Sequence, residues 1–178
     1  MEVTQEGLFS PEKILEQIEI QDQMEVADFG CGHGFFSIPL AKRTPKGKVY
    51  AIDVVKEALE AVESRAELEK IDNIKTIQAN LENFGGSKLE DSSIDIVLLR
   101  NILFQSQKKE EIVREAKRVL KPGGEMVIAE WKADSTMAPK EGWLIEKEGV
   151  KKLTEDEGLV FKKEMIMDSH HYGLVFNK

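Results

Sequence analysis

Residues 24–34 read Met24-Glu25-Val26-Ala27-Asp28-Phe29-Gly30-Cys31-Gly32-His33-Gly34. Met24 to Phe29 is a short apolar run that reads as a strand, the glycines after it let the backbone turn tightly, and Phe35 to Arg43 resumes with the apolar spacing of a helix. Strand, turn and helix in immediate succession form the opening unit of an α/β fold.

The same alternation continues outward from that unit. Lys48 to Ile52 reads as a second strand closing at Asp53, and Lys56 to Lys70 as a long amphipathic helix with Ala58, Leu59, Val62, Ala66 and Leu68 as core positions. Ile74 to Gln78 and Ile94 to Leu99 are further strands, Lys108 to Leu120 a helix, and Glu125 to Trp131 a fifth strand. Asn83 to Ser93 carries Gly85-Gly86 and several acids, so any helix there is short or broken, and Lys121-Pro122-Gly123-Gly124 reads as a sharp stop. Repeated strand-helix units imply a parallel sheet joined by right-handed crossovers with helices on both faces, a doubly wound, Rossmann-like α/β fold.

The ends of the chain depart from this rhythm. Val160 to Met167 and His171 to Phe176 are two β-rich runs close together, an antiparallel hairpin that makes the last strand run backwards. Ser10-Pro11-Glu12 reads as a helix start, and Ile14, Leu15 and Ile18 form an apolar stripe, so residues 1–22 are expected to be a helical segment packed on the sheet. Lys132 to Gly149 is polar sequence around Trp143-Leu144-Ile145, consistent with a loop or short cap over the ligand edge. The whole of 1–178 is expected to be a single domain.

Composition narrows the function. The formal net charge is −8 and the lysine-rich stretches alternate with Glu at helical spacing, which disfavours bulk nucleic-acid binding. No apolar run approaches the roughly 20 residues needed to cross a bilayer, and the N-terminus begins acidic, so a cytoplasmic protein without a transmembrane segment is expected. Cys31 is the only cysteine, which leaves no internal disulfide, no cysteine cluster for zinc and no redox pair.

In such sheets ligands bind beyond the carboxyl ends of the strands, where strand order reverses. A carboxylate at Asp53 is placed to accept hydrogen bonds from both hydroxyls of a ribose lying across the glycine turn. At the third strand end, the Asn80 side-chain carbonyl and the Leu81 amide suit an adenine edge, though Asn80 equally suits a turn that bonds its own backbone.

These residues carry a resemblance. The run from Val26 to Gly34, Tyr50-Ala51-Ile52-Asp53, Asn80-Leu81, Asp95-Ile96-Val97-Leu98-Leu99 and Leu120-Lys121-Pro122-Gly123-Gly124 together resemble class I S-adenosylmethionine-dependent methyltransferases, in the type 11 and quinone-methyltransferase-like branch. The resemblance implies a seven-stranded sheet, mostly parallel with the last strand antiparallel. It implies S-adenosylmethionine as cofactor, with Asp28, Gly30, Cys31 and Gly32 near the methionine moiety, Asp53 on the ribose, Asn80 and Leu81 at adenine, and Val54 and Arg100 as further cofactor-binding residues. The family often has Asp where Asn80 stands. A dinucleotide-binding oxidoreductase shares the first two signals, but the glycines run Gly-x-Gly-x-Gly without the third glycine of that spacing, and the terminal hairpin suits a methyltransferase sheet.

Methyl transfer from a sulfonium is an in-line displacement that positioning alone can accelerate, so a dedicated base is optional. His170, His171 and Tyr172 fall where the hairpin returns near the fifth strand, which makes the histidines candidate bases and Tyr172 a pocket wall. Exposed turn residues are an equal alternative for each histidine. His33 is expected to serve through its backbone, Trp131 as pocket wall or core, Phe9 and Trp143 as covers, and Phe104 and Gln105 as lesser acceptor contacts. The Pro-Pro motif of methylases acting on exocyclic amines of DNA bases is absent after Arg100-Asn101, and the lone Cys31, sitting in the cofactor turn, excludes cytosine carbon-5 and arsenite methylation. Glu130, Asp134 and Asp168 make no convincing carboxylate cluster, so no metal is expected. The acceptor is expected to be a small molecule methylated on O, N or C. A non-catalytic cofactor-binding sensor or partner subunit is the alternative, with protein methylation or NAD-dependent oxidoreduction behind it.

Overall fold

A computed structural model describes residues 10–178. Phe9 therefore lies outside the described residues. The elements follow in the order α1 (Pro11–Leu15), β1 (Glu25–Phe29), α2 (Ser37–Arg43), β2 (Lys48–Asp53), α3 (Lys56–Leu68), β3 (Ile74–Gln78), β4 (Ile94–Arg100), α4 (Lys109–Val119), β5 (Leu120–Trp131), α5 (Lys147–Asp156), β6 (Val160–Met165) and β7 (His171–Asn177). They build one seven-stranded sheet ordered β3-β2-β1-β4-β5-β7-β6. The pairs from β3 to β5 are parallel, and β7 is antiparallel to both its neighbours. This is the Rossmann-like α/β sheet of the sequence reading, with the last strand reversed.

Two-residue alternation divides the sheet into two faces. Ala27, Phe29, Val97, Leu99, Met126, Ile128, Leu174 and Phe176 point to the side covered by Ile112, Val113, Ala116 and Val119 of α4 and Val150 of α5. Val26, Val49, Ile96, Leu98, Val127 and Val175 point to the other, under Ile14 and Leu15 of α1 and Leu40 and Ala41 of α2. Phe29 and Phe176 are fully buried, and truncating either ring to Ala costs about 3–5 kcal/mol. Ile14, Leu15 and Ile18 are buried as the apolar stripe requires.

Three local readings need correction. Leu68, placed in the core by periodicity, is 84% exposed, because it stands two residues past buried Ala66 and so falls on the opposite, solvent face of α3. Lys121-Pro122-Gly123-Gly124 does not separate helix from strand. It forms an irregularity inside β5, between the pairs Ile94↔Leu120 and Ile96↔Glu125, while Gly123 and Gly124 exchange backbone bonds with Lys178. The segment read as loop to Gly149 gives way at Lys147 to α5, which buries Val150 and Thr154.

Chain order steps outward from β1 through β2 to β3 and then crosses to β4 on the other side of β1. The carboxyl ends of β1 and β4 thus flank the reversal point, where the connecting segments diverge and leave a crevice.

Candidate active site

The crevice is built on the glycine turn. β1 stops at Phe29 and the chain folds back on β2, the amides of Gly30 and Cys31 both donating to the Ile52 carbonyl at 2.8 and 3.0 Å. Gly30 and Gly32 sit at φ of +71° and +51°, a region that side-chain-bearing residues enter at a cost. A Cβ on Gly30 would lie 2.8 Å from the Ile102 side chain, whereas one on Gly32 would meet nothing within 4 Å. Gly32 thus presents bare backbone to open space. Its amide donates to Asp53 Oδ2 at 2.9 Å, and the Val55 amide donates to Asp53 Oδ1 at 3.0 Å. Each carboxylate oxygen keeps a second lone pair.

Around that turn lies a cavity of about 470 Å³ whose lining includes Gly30, Gly32, Asp53, Val54, Asn80, Leu81 and Ile102. Six residues assigned to the cofactor from sequence therefore share one crevice. The Asn80 side-chain carbonyl accepts from the Glu82 amide at 2.9 Å, so the turn role foreseen for it is realised.

Behind the turn a second cavity of about 400 Å³ is lined by Asp28, Gly30, Cys31, Gly32, Phe35, Phe36, Arg100 and Asn101. The two meet at Gly30 and Gly32. Asp28 is 2% exposed and accepts from Ser37 Oγ at 2.6 Å. Burial pushes its carboxyl up to about 6, against the pull of Ser37 and Arg100. The Arg100 guanidinium lies 5.2 and 5.7 Å from the Phe35 and Phe36 rings. Burial raises the Cys31 thiol far above its ordinary value, which keeps it protonated and poorly nucleophilic.

On the same face, the ends of β4, β5 and β7 carry a polar chain. Asn101, at φ +52°, places its amide nitrogen 3.3 Å from His171 Nε2. His171 Nδ1 lies 2.9 and 3.0 Å from the two oxygens of Asp168. The Trp131 ring stacks on the imidazole with centroids 4.0 Å apart. Burial lowers His171 below its ordinary value, outweighing the opposite pull of Asp168. Asp168 lies below its ordinary value, since hydrogen bonds from the His171 side chain and the His170 amide overcome the burial that raises it. An open hollow of about 630 Å³, lined in part by His171, Asp168, Tyr172, Met165 and Met167, adjoins this chain.

Residues 20–172 match the family model described as a methyltransferase domain. The chain belongs to that family. An arsenite methyltransferase of Aquipseudomonas alcaligenes is 30% identical over 122 residues, 66% of this chain and 35% of that protein. A demethylmenaquinone methyltransferase of a Geobacillus species is 28% identical over 120 residues, 67% of this chain and 50% of that protein. A 23S rRNA uracil-C5 methyltransferase of Vibrio parahaemolyticus is 35% identical over 89 residues, 49% of this chain and 20% of that protein. The chain thus spans half or less of these relatives' lengths. Among solved structures, a SAM-dependent methyltransferase from Aquifex aeolicus is 25% identical with a TM-score of 0.86, covering 99% of this chain and 93% of that one.

S-adenosylmethionine is the cofactor of this methyltransferase, and the residues present fit it. Gly32 offers bare backbone where a Cβ would intrude, and Asp53 offers two free lone pairs beside it. When bound, the cofactor supplies a methyl group on a sulfonium.

Alternation separates the three residues considered for the acceptor end. His171 stacks on Trp131, whereas Tyr172 packs in the core beneath α4 and α5 and donates its hydroxyl to the Ile145 carbonyl at 2.6 Å. His170 precedes β7, and its Nδ1 lies 3.0 Å from Ser135 Oγ. Sequence reasoning missed Asn101 as a site residue and weighed Asp168 only as a metal ligand. An Asp three positions before a His at a strand start was the available signal. Glu130 serves the scaffold: it is buried and accepts from the Leu103 amide at 2.7 Å. Among the described residues no group of three or more His, Cys, Asp or Glu is placed to hold a metal, and no helix is long and apolar enough to cross a membrane.

Proposed function

We propose that this enzyme methylates a small-molecule acceptor that enters through the hollow beside His171 and meets the cofactor's methyl group at Asn101. One observation carries the reading: Asn101 lines the cavity behind the glycine turn and bonds His171, which lines the open hollow, so donor and acceptor approaches converge on one residue pair. Asp53 then holds the ribose, Gly30 to Gly32 the methionine moiety with Asp28 and Arg100 beneath it, and Asn80-Leu81 the adenine edge. Positioning by these groups supplies the acceleration.

The names of the arsenite and demethylmenaquinone relatives support a small acceptor. The sole thiol, Cys31, is buried in the turn, which argues against arsenite itself. RNA is disfavoured by the net charge of −8.

Incubation with S-[methyl-³H]adenosylmethionine and, separately, pooled metabolites, lipids, RNA and proteins tests this. Label in the metabolite pool supports the proposal, label only in RNA or protein overturns it, and tight binding without transfer to any pool identifies a sensor.

A further inference from the structure

Asn101 Oδ1 is a buried side-chain oxygen with no hydrogen-bond partner among the described residues. Burying such an atom unpaired costs on the order of 1–3 kcal/mol, and its surroundings fix the direction in which it faces. A neutral imidazole carries one N–H. His171 Nδ1 lies against the Asp168 carboxylate and therefore holds the proton, which leaves Nε2 as an acceptor. Nε2 in turn takes Nδ2–H of Asn101. The Asn101 amide is thereby locked, its nitrogen on His171 and its carbonyl oxygen unpartnered, in a residue that lines the cavity behind the glycine turn.

We infer that Asn101 Oδ1 is the atom that receives the nucleophile, by accepting an N–H from a neutral primary or secondary amine, with His171 and Asp168 acting as positioning residues. The inference rests on the methyltransferase reading above. It places the substrate-facing atom on Asn101 and relieves His171 of a base role, because its Nε2 lone pair is already engaged. Amine methylation needs no base in the transfer step. The nitrogen lone pair forms the new N–C bond as the S–C bond breaks with its electron pair left on sulfur, positive charge passes to nitrogen, and the surplus proton leaves afterwards to water. A carbonyl dipole on the N–H stabilises that growing charge.

The entrance supports an amine over an alcohol. Carboxylates outnumber lysines in the lining of the hollow, five against Lys132 and Lys147. Glu164 pairs with Lys147 and Lys151, Glu148 with Lys151 and Asp168 with His171, which leaves Asp134 and Glu146 against Lys132. Such a lining concentrates cationic amines at the mouth, and each gives up its extra proton to water before the neutral nitrogen meets Asn101.

The test uses S-adenosylhomocysteine and three analogues in which nitrogen replaces sulfur and bears an aminoethyl, hydroxyethyl or propyl arm, with Kd measured by calorimetry. The aminoethyl analogue is expected to bind at least about tenfold tighter than the propyl one and tighter than the hydroxyethyl one. Asn101→Gly, which suits the positive φ, is expected to erase that preference, the four affinities being compared within the variant itself. His171→Ala weakens the preference, and His171→Gln, whose amide oxygen reaches the place of Nε2, restores it. A preference for the hydroxyethyl or propyl arm overturns the inference, as does a preference that survives Asn101→Gly. If Asn101→Gly does not fold, the ranking in the unaltered protein decides alone. Failure of S-adenosylhomocysteine and all three analogues to bind overturns the cofactor-site reading instead.

Discussion

The Gly32 amide donates to Asp53 Oδ2 at 2.9 Å, tying the turn after β1 to the carboxylate that closes β2. One acid thus shapes the turn and faces the crevice at once. Asp53→Ala removes both roles, and the loss of charged hydrogen bonds is worth about 2 kcal/mol, roughly thirtyfold in Kd. Calorimetry with S-adenosylhomocysteine checks this, and unchanged affinity removes Asp53 from the site.

Gly30 and Gly32 separate folding from binding. Alanine at either pays about 1–2 kcal/mol for the left-handed backbone. Only at Gly30 does the new Cβ press on Ile102, at 2.8 Å. Denaturant titration is therefore expected to show Gly30→Ala as the less stable variant. Gly32→Ala keeps more stability yet loses more cofactor affinity, because its methyl enters the crevice. Equal ratios of stability loss to affinity loss in the two variants contradict this division.

The donor side of the site was legible because the signals sit at strand ends that local periodicity locates. Asp28, Gly30, Gly32 and Asp53 need only the strand-turn-helix pattern to be placed. The Asp168–His171–Asn101 chain was not legible, since Asn101 and His171 are 70 residues apart and meet only through the pairing of β4, β5 and β7. The helix α5 escaped notice because its sequence, KEGVKKLTED, holds few apolar residues and a glycine in its first turn. Pro122-Gly123-Gly124 misled for another reason: at a sheet irregularity the turn-forming residues lie within a strand.

Tyr172→Phe deletes the bond to the Ile145 carbonyl, on the side of the sheet away from His171. A loss of about 1 kcal/mol in stability is expected, with S-adenosylhomocysteine affinity unchanged. A Kd raised more than about threefold places the hydroxyl in the cofactor site.

Glu115 on α4 is buried and holds the loop after the Asn80 strand end, accepting from the amides of Gly85 and Ser87 and from Arg118. Burial raises its carboxyl, but Arg118 and Ser87 bring it down to about 2, below the ordinary 4.5. A depressed carboxyl stabilises the fold above its unfolded value, and that contribution is lost as pH falls from about 4.5 towards 2. Glu115→Ala leaves Arg118 on Asp91 and the Leu89 carbonyl but strips the Gly85 amide and the buried Ser87 amide of their acceptor, and is expected to cost about 1–3 kcal/mol at pH 7. The difference from the unaltered protein is expected to shrink below pH 4.5. A difference constant down to pH 3 contradicts the role.

Glu130 has the opposite sign. Burial pushes its carboxyl up to about 7, despite the amides of Leu103, Ile102 and Phe104, and Oε2 has no hydrogen-bond partner among the described residues. The folded state therefore holds a proton that the unfolded chain has released between pH 4.5 and about 7, so this group's contribution is full below 4.5 and falls as pH rises through that window. Glu130→Gln keeps an oxygen for the Leu103 amide and cannot ionise. Stability measured from pH 4.5 to 8 is expected to fall less in the variant, which overtakes the unaltered protein above about pH 7. Parallel curves across that range mean that Glu130 is ionised throughout, with its second oxygen solvated, and that the buried amides alone hold the chain segment from Ile102 to Phe104 in place.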